Sequence, residues 1–137
     1  MEGRETWIVA DEAAMRALGA SLAPRFRAGD AVFLHGNLGA GKTTFVRGLL
    51  SGLGWAGEVR SPTFNLLQTY DVVPPVLHAD LYRVANWQGI GIEDYLDSHL
   101  CLIEWPERMA GLVSDEQARH LWIDFEGEGR KVTLSAS

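Results

Sequence analysis

The chain has 137 residues and a mass of 15.1 kDa, with 47% hydrophobic and 22% charged residues; that is one ordinary domain with a buried core, and it excludes a disordered or low-complexity chain. Twelve Lys and Arg against eighteen Asp and Glu give a net charge of −6, which excludes a global attraction for nucleic acid or an anionic membrane and leaves room only for a local basic patch. The single cysteine, Cys101, excludes an internal disulfide framework and a Cys-x-x-Cys zinc site.

No stretch approaches the ~20 apolar residues of a membrane span, and Met1-Glu2-Gly3-Arg4-Glu5 carries no apolar signal region. A cytoplasmic protein with one domain over residues 1–137 is expected. Asp11 is placed to cap a first helix running to about Leu22, with Met15, Leu18 and Leu22 on one apolar stripe. Pro24 ends it. Ala31-Val32-Phe33-Leu34 is short and continuously apolar, the pattern of a strand covered on both faces. A second helix is expected from Lys42 to Gly52 or Gly54, with Phe45, Val46, Leu49, Leu50 and Leu53 in helical period.

Beyond the break at Ser61-Pro62, Thr63 to Tyr70 reads as a strand, Asp71 to Pro75 as a turn and Val76 to Asp80 as a further strand. Ile92 to Leu100 is expected to be helical, and the apolar run Leu100-Cys101-Leu102-Ile103 encloses a buried, inert thiol. His120 to Phe125 and Lys131 to Leu134 form a closing hairpin through Glu126-Gly127-Glu128-Gly129. The fold class is therefore α/β: a P-loop NTPase-like mixed, mostly parallel sheet flanked by helices, with antiparallel strands at its C-terminal end.

Gly36-Asn37-Leu38-Gly39-Ala40-Gly41-Lys42-Thr43 fits G-x-x-x-x-G-K-[ST] at every fixed position, between an apolar strand and an amphipathic helix. Glycines let successive backbone N–H groups turn inward around phosphate oxygens at the positive end of a helix. Lys42 then reaches the β- and γ-phosphates, and the Thr43 hydroxyl completes a magnesium shell. Asn37, Leu38, Gly39, Ala40, Gly41, Lys42, Thr43 and the adjoining Thr44 are the expected nucleotide contacts.

Two carboxylates end apolar runs, Glu104 after Leu100 to Ile103 and Asp80 after Val76 to Ala79. Residues just past the carboxyl ends of parallel strands converge on the ligand crevice. Glu104 is the choice for the magnesium acid and Asp80 for the group that positions or deprotonates an attacking water; sequence alone allows the two roles to be exchanged.

Around them, His78, Asp80 and Tyr82 alternate as residues on one face of a strand do. A His-x-Asp metal pair lacks a third ligand, so a hydrogen-bonded His or Tyr is the simpler reading. Arg83 suits a phosphate, Asp80 or plain solvent. Ser61-Pro62-Thr63-Phe64 lies where a switch segment sensing the γ-phosphate through Thr63 or Ser61 would fall, and equally fits a simple turn. Trp105-Pro106 either covers the site or a partner surface, or is ordinary aromatic packing. No Asn-Lys-x-Asp segment for guanine and no arginine-rich lid are present. The first absence disfavours a GTPase, and the second weighs against a small-molecule kinase transferring the γ-phosphate to a hydroxyl acceptor, which stands as the alternative to an ATPase.

Gly36 to Thr43, Ser61-Pro62-Thr63-Phe64, His78-Ala79-Asp80-Leu81-Tyr82-Arg83 and Ile103-Glu104-Trp105-Pro106 resemble, in order and spacing, the bacterial TsaE family. The resemblance implies a compact, Mg2+-dependent ATPase, slow alone, required for threonylcarbamoyladenosine formation beside the anticodon of ANN-decoding tRNAs. It implies action with the TsaD–TsaB pair, contact with tRNA only through that complex, and ATP and Mg2+ as cofactors. Carried over by position, Lys42 binds phosphate, Thr43 and Glu104 hold magnesium, Asp80 serves hydrolysis and Thr63 falls in the switch. The family's base pocket suggests Thr6-Trp7 and Arg130, and Trp105 matches the family tryptophan. Asn37 stands where an acid is common.

Overall fold

In the computed structural model, which describes residues 4–37, 39–59 and 66–135, the sequence pattern resolves into a seven-stranded sheet. Its strands are β1 (Glu5–Val9), β2 (Ala31–His35), β3 (Leu67–Tyr70), β4 (Val76–Asp80), β5 (Leu100–Glu104), β6 (Arg119–Glu126) and β7 (Gly129–Leu134), and its helices α1 (Glu12–Leu22) and α2 (Lys42–Gly52). The order across the sheet is β1-β7-β6-β2-β5-β4-β3. The central β6, β2, β5 and β4 run parallel, whereas β7, β1 and β3 add antiparallel edges.

Local chemistry starts both helices. Asp11 caps α1, its carboxylate accepting from the Ala14 N–H at 2.9 Å. Gly41, at φ 113°, is the left-handed residue before α2. Both helices pack on one sheet face, burying Met15, Leu18, Leu22, Phe45, Leu49 and Leu50 against Val32, Leu34, Leu102, Leu121 and Val132. Glycines set their separation: a Cβ on Gly19 would stand 2.5 Å from Phe45 O, and one on Gly48 would run into the Arg16 backbone. Gly48→Ala is accordingly expected to destabilise by about 1–3 kcal/mol through overpacking, despite the ~1 kcal/mol helix-propensity gain; the midpoint of urea unfolding checks this.

Among the described residues, no α-helix covers the opposite face. Phe33, Leu77, Ala79, Cys101 and Ile103 are covered instead by Leu81, Ile92, Met109 and Ala118 from irregular connections. The helix expected over Ile92 to Leu100 is thus corrected to a single 3-10 turn, Ile92–Asp94. Gly89 and Gly91, both at positive φ, break the approach, and Leu100 is taken by the sheet, where its N–H donates to Pro75 O at 2.8 Å. The strand expected from Thr63 is Leu67–Tyr70 within the described residues; Ser61 to Phe64 lie outside them. Burial pushes the Cys101 thiol up to about 12, which leaves it unreactive. No helix among the described residues is long and apolar enough to cross a membrane.

Candidate active site

β2 delivers the chain to the loop 36–41 and α2 carries it away, so the loop lies at the carboxyl edge of the central strands. Gly36 lies tight against β6, where a Cβ would stand 2.8 Å from Ile123 O. Gly39 and Gly41 have φ of 81° and 113°, and α2 begins after Gly41 with no side-chain cap hydrogen bond; such a helix N-terminus suits an anion. Leu38 lies outside the described residues, as does Thr63.

Arg130 on β7 buttresses this loop. Its Nε donates to Ala40 O at 2.9 Å and its Nη2 to Gly39 O at 3.2 Å, while the guanidinium lies 4.4 Å from the Phe125 ring centroid. These bonds tie the loop's carbonyls to β7, and the Ala40 N–H donates within the loop to Asn37 O at 3.0 Å.

At the head of α2, Lys42 and Glu104 are both buried, and Lys42 Nζ lies 3.8 Å from Glu104 Oε1. The other oxygen, Oε2, is 2.6 Å from His78 Nε2. Lys42 also lies 5.1 Å from the Trp105 ring centroid. Asp80 pairs in register with Glu104 across β4 and β5, which sets the two carboxylates level at adjacent strand ends. Partial burial raises the Asp80 carboxyl above the usual aspartate value, opposed by the Tyr82 N–H that donates to its Oδ1 at 3.1 Å.

Lys42, Thr43, Thr44, Asp80 and Glu104 line one cavity of about 370 Å³ together with Glu12 and the loop glycines. A second of about 360 Å³ shares Glu12, Gly39, Gly41 and Thr44 and extends past Ala10, Asp11, Ala40 and Gly129 to Arg130. The two form a continuous trough along the loop. Trp7, expected in the base pocket with Thr6, does not line it. Trp7 packs toward the core with the Arg25 guanidinium 5.8 Å from its ring, beyond the C-terminal end of α1, and Thr6 is exposed. Alternation along β1 sends Trp7 to the helix side too early in the chain, and Ala10, Asp11 and Glu12 are the N-terminal residues that reach the trough.

Asn37 lines a different recess of about 300 Å³, with His35, Lys42, Trp105, Glu107 and Asp124. There His35 Nε2 lies 2.9 Å from His120 Nδ1, and His120 Nε2 lies 2.8 Å from Asp115 O. His120 therefore donates to the carbonyl and accepts from His35. Burial, then the neighbouring His120, holds His35 below its ordinary value. Trp105 adopts φ 61°, rare for a bulky residue, and its ring packs 4.7 Å from that of Tyr82. Tyr82 thus stands past the end of β4 and is exposed, rather than sharing a strand face with His78 and Asp80; Arg83 is exposed as well. Glu12 and the His35–His120 pair carry no motif, and only tertiary pairing brings them here.

The family model described as threonylcarbamoyl adenosine biosynthesis protein TsaE matches residues 9–132. A tRNA threonylcarbamoyladenosine biosynthesis protein TsaE from Haemophilus influenzae is 40% identical over 110 residues, covering 77% of this chain and 69% of that one. The protein of the same name from Streptomyces coelicolor is 38% identical, covering 77% and 76%. The crystal structure of Bacillus subtilis YdiB superposes with a TM-score of 0.80 at 29% identity, over 99% of this chain and 87% of that one. With its P-loop, His78-Ala79-Asp80 and Ile103-Glu104-Trp105 segments inside the matched span, the chain belongs to the TsaE family.

Proposed function

We propose that this protein is a Mg2+-dependent ATPase that serves threonylcarbamoyladenosine modification of tRNA together with the TsaD–TsaB pair. The observation that carries the reading is the convergence of Lys42, Asp80 and Glu104 at the head of the P-loop helix. A glycine-wrapped helix start binds polyphosphate, a buried lysine adds the positive charge, and two carboxylates at one level supply separate metal and water functions.

The donor set suits magnesium. Thr43 and Glu104 offer only oxygens, and among the described residues no group of three or more His, Cys, Asp and Glu forms a protein-only metal cage. Magnesium is typically held by one or two carboxylates plus substrate phosphates. Thr43 and Glu104 would hold the ion, which would supply positive charge against the negative charge that develops on the phosphate. Lys42, which rests beside Glu104, turns its charge to the γ-phosphate, and Asp80 accepts a proton from, or orients, the attacking water. Ala10 to Glu12 and Gly129 to Arg130 bound the outer half of the trough, the place for ribose and base. The absence of an Asn-Lys-x-Asp segment favours adenine over guanine.

A chain of net charge −6 has little to hold tRNA with on its own, so its part in the pathway runs through protein partners. MgATP hydrolysis measured alone and with TsaD–TsaB tests the reading. A slow rate alone that rises with the pair is expected; a rate indifferent to the pair removes the partner role, and acceptor-dependent ADP release would indicate a kinase.

A further inference from the structure

We propose that His78 is a positioning residue for Glu104: its Nε2–H holds Oε2, so that Oε1 stays presented to Lys42 and the phosphate trough. This rests on the reading of Glu104 as the magnesium acid and deepens it.

His78 occupies the middle of β4 and is fully buried. Register pairs it with Leu102, so Glu104, two residues on, is its diagonal neighbour on the same sheet face. At 2.6 Å the contact is a short, charge-assisted hydrogen bond. A carboxylate only accepts, which places a hydrogen on Nε2. The other ring nitrogen, Nδ1, is buried and has no hydrogen-bond partner among the described residues. An imidazole with an orphaned nitrogen is a poor choice for packing alone, where an apolar side chain would carry no such penalty. The bond to Glu104 is what the histidine contributes.

Its consequence shows at the other oxygen. Lys42 Nζ stands 3.8 Å from Oε1, longer than the 2.7–2.9 Å typical of a closed ammonium–carboxylate hydrogen bond. With Oε2 anchored, Glu104 does not close onto Lys42, and both remain available, one to metal and the other to phosphate. Outer-shell partners of metal-binding carboxylates act in this manner, and their loss typically costs 10–100-fold in metal affinity.

The test is ADP binding by titration calorimetry at graded Mg2+ concentrations, with melting temperature as the fold control. His78→Met and His78→Gln have nearly the same length and volume, but only Gln carries an N–H donor at the ε position. His78→Met is expected to raise the Mg2+ concentration needed for full affinity by about 10–100-fold; His78→Gln recovers most of the loss. Should the Met variant not fold, His78→Asn, whose amide falls short of Glu104, replaces it in the comparison. Unchanged Mg2+ dependence in His78→Met, or equal loss in Met and Gln variants with equally lowered melting temperatures, overturns the inference. Glu104→Gln separates the two levels. If it shifts the Mg2+ dependence while His78→Met does not, only the role of His78 fails; if Glu104→Gln leaves it intact, the metal reading fails and takes the inference with it.

Discussion

Lys42→Ala is expected to lower MgATP hydrolysis by about 10²–10³-fold, the range for removing one preorganised charge-stabilising donor. It should also weaken nucleotide binding, because the lysine meets ground-state phosphates as well as the transition state. The same substitution has a structural cost. Glu104 is buried, and Lys42 is the cation nearest its Oε1. Removing the cation from a buried ion pair costs about 3–5 kcal/mol where the remaining charge is left uncompensated, a cost that His78 lessens by still donating to Oε2. The double variant Lys42→Ala/Glu104→Gln distinguishes the two effects, since a neutral amide needs no counter-charge. Thermal unfolding should show its stability recovering toward wild type while hydrolysis stays lost. Recovery of hydrolysis in the double variant would mean that Lys42 acts only by neutralising Glu104, and the phosphate role would fall.

The parts of this arrangement that were readable from sequence are those where the backbone itself does the chemistry. A loop that turns N–H groups inward needs glycine at particular places, so Gly36, Gly39 and Gly41 mark it in the sequence, and Gly39 and Gly41 do adopt positive φ. Likewise β2 and β5, buried on both faces, appear as unbroken apolar runs ending at the site, and β4 as one interrupted only by His78. What escaped depends on partners distant in the chain. β1 is an edge strand held by β7, with Glu5 opposite Leu134; its Thr6-Trp7-Ile8-Val9 run is β-prone, but the pairing that makes it a strand lies at the far end of the chain. Arg130 reaches Gly39 and Ala40 across ninety residues, and family resemblance rather than any local pattern singled it out. Over Ile92 to Leu100 the apolar spacing suggests a helix, yet pairing of Leu100 with Val76 and the positive-φ glycines before Ile92 outweigh it.

Asp80→Ala is expected to keep MgATP binding near wild type while lowering hydrolysis by about 10²–10⁴-fold, the range for a general acid–base group. The expectation rests on how differently the fold treats two carboxylates set level on adjacent strands. Glu104 is buried, bonded to His78 and close to Lys42. Asp80 is only partly buried, and its Oδ1 accepts from the Tyr82 N–H of its own turn. A metal acid benefits from the first environment, where position is fixed from several sides; a group that exchanges protons with water needs the second, open to the trough. Burial also raises the Asp80 carboxyl, which makes its ionised form a better proton acceptor than an ordinary exposed aspartate. Nucleotide binding by calorimetry, set beside single-turnover hydrolysis, reads the two roles separately. If Asp80→Ala loses Mg2+-dependent binding and Glu104→Gln keeps it, the assignments are exchanged; if Asp80→Ala hydrolyses normally, water is activated elsewhere, and Glu12, the third carboxylate lining that cavity, becomes the next residue to substitute.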